Sequence, residues 1–573
     1  MFYPIDSNGN LRCPMKRALS VMLLVCLLVC ALPQMASARR RNYDPTVKIG
    51  LYYDSAALSA ANLQNVSGMG EGFEFGYYDE DREFVSTYEV EDENRITVLK
   101  NMNMWVSDNS YSDMELAYSE DVVGAYCLQI DEYFDLDDAL DVIEEIRDED
   151  YDAYPCYTPG GFRVRIGKYT SGEEASRDLE NVESDIGWPL ERRVPNETCY
   201  TVVVTGTADI LYQFDMLGEY HLGILPMSEQ TWFKGFKYYG GFEYNRVSGN
   251  NITVINVVGL TDYIKGVIPY EVNPNWPIEA QKAQALCAKC YTVKSLGKHK
   301  AKGFDLCNTT DCQMYQGTNN ATEVSDEAVD ATEGLFVLYD GEICTTYYHA
   351  SSGGYTEDAG NIWGKDIPYL KAVEDTYLES TRPFSVTLDL DQITWILQTK
   401  GYITEDVEDL YVSKYSDVGN VLALTVDLSD GTSKTFTGDR ARTALNSATL
   451  GVTIGSHRYT INGGSTEDTV NINGAQVELD DLYVQGDGKK AKKIDVEDGV
   501  VALTANGIEE VTITEPAKIE NEDGVYVING TGSGHNIGLS QEGARSMAEE
   551  GFTFEEIIEF YFTDAEVDYY DPN

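Results

Sequence analysis

Glu271 stands in the run LTDYIKGVIPYEVNPNWPIEAQKAQALCAKCY (260–291) as an isolated carboxylate just ahead of a stretch with helical periodicity. A single acid so placed can give a proton to a leaving oxygen and later take one back. Asn273 and Pro274 mark a turn, and Pro277 suits the first turn of a helix, where its missing N–H costs nothing. The spacing predicts a long amphipathic helix from about Pro277 to Leu296, with Ile278, Ala285, Cys287, Ala288, Tyr291 and Val293 on its apolar face. Lys282 and Lys289, seven residues apart, fall on one side of it, so Glu271 is expected at a strand-to-helix turn near two cations. From residue type alone, a solvated turn carboxylate is the commoner state of a Glu in so acidic a chain.

Cys307 and Cys312, in HKAKGFDLCNTTDCQMY with His299 and Asp311 nearby, form a second group. Thiolates and imidazole suit zinc, although the x4 spacing sits at the edge of the usual range and one loop supplies both sulfurs. A disulfide explains the pair equally well in an oxidising compartment. Cys287 and Cys290 are one helical turn apart and read as core residues or as partners of cysteines elsewhere, while Cys127, Cys156 and Cys199 make an odd set in the N-terminal third. His349 precedes Ser351 and Ser352, and His535 precedes Ser540, but neither serine lies in a G-x-S-x-G elbow, which argues against a serine hydrolase. No phosphate-binding G-x-x-x-x-G-K-[ST] loop occurs. The glycine-rich loops SSGG (351–354) and GTGSGHNIG (530–538) let backbone approach a ligand closely.

The elements around these residues must be sought in 573 positions, enough for three or four domains. Residues 15–38 have the basic start, apolar run and Ala-Ser-Ala ending of a secretory signal, with Met15 the better start of a leader spanning 1–38. An uncleaved anchor is the alternative, and either places the remainder outside the cytoplasm. The 42 basic against 96 acidic residues, net charge -54, exclude nucleic acid as a partner. The 40 tyrosines fit strands.

Residues 45–115 alternate apolar and polar residues between Gly, Asn and Asp turns, as a small β-rich region. Within 122–200 the sequence repeats with an offset of 36: AYCLQIDEYFDLDDALDVIEEI (125–146) matches GFRVRIGKYTSGEEASRDLENV (161–182), with Tyr126 on Phe162 and Ile130 on Ile166. Each unit reads as a strand followed by a helix, with Asp or Ser as cap, and two such units imply a small α+β domain with a shared sheet. FRVRIGKYTSGEEA resembles the second half of a SPOR domain, and the resemblance implies binding to peptidoglycan strands stripped of their stem peptides. The region 236–565 mixes strands and helices, with a β-rich insertion at 464–525. The whole reads as a multidomain α+β protein.

Five runs in order, DYIKGVIPYEV, WPIEAQKAQALCAKCYT, FDLCNTTDCQMYQG, YHASSGGYTED and GSGHNIGLSQEGARSMAEEG, resemble the SpoIID/LytB family of sporulation-type lytic transglycosylases. The resemblance implies that Glu271 is the catalytic acid and that Lys282, Lys289, Ser540 and Gln541 line a glycan groove. It implies cleavage of the MurNAc–GlcNAc bond with no cofactor required, zinc on Cys307, Cys312 and His299 as a structural option, and other cell-wall hydrolases as partners. LytB-type relatives add the alternative of a non-catalytic, amidase-stimulating protein. Lys289 stands where the family more often has Arg, Asp311 where it commonly has His, and Asn536 replaces a glycine of its G-H-G-x-G loop.

Overall fold

The computed structural model describes residues 43–570 apart from 116–118, 120, 247–250 and most of 463–523, where only short strand segments are placed. The expected leader and most of the 464–525 insertion therefore lie outside the described residues. The chain is a multidomain α+β structure, as its patterning implies.

The repeat folds as two strand–helix–strand units. Strand Tyr126–Ile130 leads to helix α1 (Leu136–Asp148) and strand Ala153–Thr158; strand Gly161–Tyr169 leads to helix α2 (Gly172–Ile186) and strand Leu190–Arg193. Asp135 and Ser171, themselves 36 apart, accept the N3 amides of their helices from Asp138 and Glu174. The first strands of the two units lie side by side and antiparallel, with Ile166 opposite Leu128. The closing strand of each unit, Ala153–Thr158 and Leu190–Arg193, is not anticipated by the repeat.

These four strands do not form a closed sheet. Ala153–Thr158 pairs in parallel with Ile210–Phe214, and the ladder continues through Tyr200–Val204, Arg95–Lys100, Ala60–Asn65, Thr231–Phe233 and Phe236–Tyr238 into a ten-stranded sheet. Across the joint lies the buried Arg165, whose guanidinium donates to Gln129 Oε1 (3.0 Å), Gln213 Oε1 (2.6 Å) and Asp215 Oδ2 (2.9 Å).

A second, seven-stranded sheet supports the Glu271 region. The N-terminal strand Thr46–Tyr52 sits inside it, antiparallel to Thr253–Gly259 and parallel to Leu306–Cys307. Thr253–Gly259 runs directly into helix α3 (Leu260–Glu271), then helix α4 (Ile278–Lys294) and helix α5 (Glu323–Asp330). A separate core gathers Leu388, Ile393, Leu424, Val426 and Ile528 around helix α6 (Leu390–Thr399) and the sheet Val407–Tyr415, Val421–Leu428, Ser433–Thr437. The chain returns through helix α7 (Gln541–Glu550) and helix α8 (Phe554–Tyr561), both packed on α4.

Removing one partner of a buried ion pair strands the other charge, so Asp215→Ala is expected to destabilise the fold by about 3–5 kcal/mol in urea unfolding. An unfolding midpoint equal to that of the parent would contradict this account of the joint.

Candidate active site

Helix α4 is predicted to be amphipathic, yet Ala280, Gln281, Ala283, Gln284, Leu286, Cys287, Ala288, Lys289 and Cys290 are all buried. Its small Ala and Cys side chains let α3, α5, α7, α8 and the strand Leu335–Tyr339 pack around it. It is a central helix rather than the wall of an open groove.

Glu271 is the last residue of α3 and not part of a strand-to-helix turn, because the helix that begins at Leu260 runs through Pro269 to reach it. Its Oε1 accepts the Met314 amide at 2.8 Å. Burial raises its pKa above the ordinary carboxylate value, the Met314 amide, which favours the ionised form, reduces that rise, and the Tyr348 hydroxyl lies beside the carboxylate. Tyr348 in turn donates to Gln313 Oε1 (2.9 Å), and Gln313 Nε2 donates to Thr292 Oγ1 (2.8 Å). Next along the chain, Tyr315 donates to Asn256 Oδ1 (2.6 Å), and its ring lies so close to Gly266 of α3 that any Cβ there would fall 2.3 Å from it. The loop carrying Met314 is thus held on both sides of the amide that meets the acid.

The two expected cations are not beside Glu271. Lys282 pairs with Glu279 (2.7 Å), whose other oxygen accepts the Phe554 amide at the start of α8. Lys289 is 2 % exposed and donates to the backbone oxygens of Thr332 and Leu335. Its amine is pushed down to about 8 by burial. Neither lysine opposes the rise in Glu271.

Gln541 reaches the acid from the far end of the chain. Its Nε2 donates to the Glu271 backbone oxygen (3.2 Å) and to Gln284 Oε1 (3.2 Å). Ser540 is buried and caps α7, accepting from the amides of Gly543 (3.3 Å) and Ser352 (3.2 Å). Ser352 donates to Asp375 Oδ2 (2.6 Å), and Tyr561 donates to Asp375 Oδ1 (2.9 Å), so the serine partner is a carboxylate held inside the fold and not a histidine. Asp375 has no signature in the sequence that could single it out.

Asn536 sits at φ +64°, the left-handed region where glycine is the default residue and Asn the best substitute. Its side chain adds contacts that glycine lacks: Nδ2 donates to Ser352 O (2.6 Å) and Oδ1 accepts the His457 amide (3.2 Å). The substitution therefore ties the two glycine-rich loops together.

His299, Cys307, Asp311 and Cys312 bring one ligand atom each to within 4.8 Å of one another. A tetrahedral zinc site sets its ligand atoms about 3.3–3.8 Å apart, so small side-chain movements would complete the set. Both sulfurs are free thiols, and Cys312 Sγ lies 3.3 Å from His299 Nε2. The hydrogen bond between the two sulfurs pushes the Cys307 thiol down and the Cys312 thiol up. All eight cysteines among the described residues are free.

Burial makes folding unfavourable for charged Lys289, so between about pH 8 and 10.5 the unfolded chain holds a proton that the folded chain releases. Stability should rise with pH across that window and be lost as pH falls through it. The Lys289→Met variant is expected to lose this rise in urea unfolding, and an unchanged pH slope would refute the assignment.

The family model described as Stage II sporulation protein (SpoIID) matches residues 248–339, and that of the SPOR domain matches 123–187. An uncharacterized protein of Brachyspira hyodysenteriae is 28% identical over 354 residues, 61% of this chain and 78% of that protein. The amidase enhancer of Bacillus subtilis is 28% identical over 323 residues, 52% of this chain but 39% of its own length. Stage II sporulation protein D of the same organism is 23% identical over 325 residues, covering 54% and 74%. Glu271, Cys307 and Met314 all fall inside the first match, and the 36-residue repeat inside or beside the second, so the chain carries a SpoIID-family segment and a SPOR domain on one polypeptide.

Proposed function

We propose that the protein works at the cell wall as an exported lytic transglycosylase, cleaving the MurNAc–GlcNAc bond of peptide-free peptidoglycan strands. The observation that carries this reading is a carboxyl group at the end of α3 that burial keeps protonated to higher pH and that, among the described residues, no cation neutralises. Such a group is a general acid. Its proton passes to the glycosidic oxygen as the C1–O bond breaks, and the C6 hydroxyl of the same sugar closes on C1. The hydroxyl proton returns to the Glu271 carboxylate, leaving a 1,6-anhydro end and a new hydroxyl with no water consumed. One acid suffices, where hydrolysis ordinarily uses two carboxylates. The Met314 amide orients Oε1, and Gln541 holds the backbone of the acid against α4. The SPOR domain would hold the strand.

His299, Cys307, Asp311 and Cys312 fit a zinc ion that would fasten the loop leading to Gln313 and Met314. Its chemistry there would be structural, since the acid is presented by the loop rather than by the ligands.

Glu271→Gln is expected to lower formation of anhydro product from denuded glycan by two to four orders of magnitude on the scale of about 10²–10⁴ for a lost acid–base group, measured by mass spectrometry. In the parent, activity should fall on the alkaline side as Glu271 ionises, at a pH above the ordinary carboxylate range. Products carrying an added water would identify a hydrolase. Cosedimentation with glycan and no product would favour the non-catalytic reading that the amidase enhancer relative suggests.

Reduced protein should retain one zinc per chain after dialysis, measured by atomic absorption, and Cys312→Ser should release it. Loss of free thiols on purification, with no bound metal, would assign the pair to a disulfide instead.

A further inference from the structure

A cleft of about 370 Å³ opens on the ten-stranded sheet, outside both matched segments, lined by Asn62, Gln64, Arg95, Thr205, Trp232 and Lys234. Strand register builds it: Trp232 lies opposite Gln64 and Gln64 opposite Arg95, so three neighbouring strands set an indole, an amide and a guanidinium in one row. Alternation sends the adjacent Leu63 and Ile96 into the core. The row is thus held by a buried face rather than by a loop.

Its electrostatics depart from those of the chain. Among the described residues no Asp or Glu lines the cleft, although the protein has 96 acidic against 42 basic residues. Among the described residues, the Arg95 guanidinium and the Lys234 amine have no ion-pair partner, and the Gln64 amide and Trp232 Nε1 have no hydrogen-bond partner; Lys234 Nζ lies 6.0 Å from the Tyr52 ring and Lys237 Nζ 5.7 Å from the Trp232 ring, leaving the other face of the indole for a ligand. Asn62, by contrast, donates to Asn109 O (2.9 Å) and accepts from Thr97 (3.2 Å). Exposed donors, two cations and an aromatic ring around one cavity match a ligand with a flat apolar face, several hydroxyls and one negative charge.

We propose that this cleft is a second saccharide site, taking a sugar residue that carries a carboxylate. Trp232 packs against the C–H face of the ring, Gln64 binds its hydroxyl or amide groups, and Arg95 takes the carboxylate through its fork of donors, with Lys234 adding charge. The choice of a glycan ligand rests on the cell-wall reading above, whereas the geometry of the site does not. The hairpin Thr231–Phe233 and Phe236–Tyr238 is tied to the active-site side of the molecule, since Lys237 N donates to Asn319 Oδ1 (2.8 Å), Asn319 Nδ2 to Gly235 O (2.9 Å) and Thr318 N to Lys237 O (2.8 Å). Asn319 is five residues beyond Met314, which contacts the acid. A strand gripped at the cleft is thereby held to the same body that carries Glu271.

The test uses the full chain with Glu271→Gln, which suppresses turnover, titrated by calorimetry with the peptide-free GlcNAc–MurNAc disaccharide, with N,N′-diacetylchitobiose (hereafter chitobiose) as its neutral counterpart and with inorganic phosphate. Adding Arg95→Gln or Trp232→Ala should remove one equivalent of disaccharide binding relative to Glu271→Gln alone, and Trp232→Phe should keep it, with thermal melting unchanged in all. Unaltered stoichiometry in both Arg95→Gln and Trp232→Ala, equal binding of chitobiose at the cleft, or occupation of the cleft by phosphate alone would overturn the proposal. The anhydro-product assay reports on Glu271 separately, so loss of one reading leaves the other standing.

Discussion

The 2.8 Å hydrogen bond from the Met314 amide to the Glu271 carboxylate is the contact on which the arrangement of the site depends. A half-buried carboxyl loses part of its water, and a backbone amide replaces it without adding a full positive charge. The acid is therefore oriented while its pKa stays raised, a balance that a lysine in the same place would destroy. Holding that amide in position requires Tyr315 packed on Gly266, Gln313 bonded to Thr292 and Tyr348, and the cluster at Cys307 and Cys312 a few residues earlier.

Helix α4 converts this local contact into a rigid site. Its small residues allow close approach on nearly every side, so α3 with Glu271, α7 with Gln541 and the strand accepting Lys289 are all referenced to one axis. Gln541 closes the arrangement across 270 positions by bonding the Glu271 backbone and Gln284 of α4 at once. Behind it, Ser540, Ser352, Tyr561 and the buried Asp375 join the two glycine-rich loops to α7, and Asn536 supplies both the left-handed turn and the side-chain contacts that hold those loops.

Local features were legible in the sequence. The caps Asp135 and Ser171, the strand–helix alternation of the repeat, the helix beginning after Pro277 and the grouping of His299, Cys307, Asp311 and Cys312 each follow from residues within a few turns of one another. What misled was periodicity applied to α4: alanine, cysteine and threonine carry little hydrophobic contrast, so a helix buried all round and an amphipathic one look alike. Lys289 shows the same limit, because nothing beside it in the chain announces that its amine ends on the carbonyls of Thr332 and Leu335.

By itself the sequence determined which residues could act: a lone acid before a helix, a compact set of sulfur and imidazole ligands, and a two-unit β-α repeat in a strongly acidic chain. Tertiary structure alone decided that Glu271 meets an amide instead of two lysines, that Asp375 stands behind the loops, that the repeat opens into a ten-stranded sheet, and that Trp232, Gln64 and Arg95 share a row. The physical reason is the same in each case. Strand register and helix packing join residues tens to hundreds of positions apart, and burial, which sets both pKa and partner, belongs to that assembly rather than to any stretch of chain.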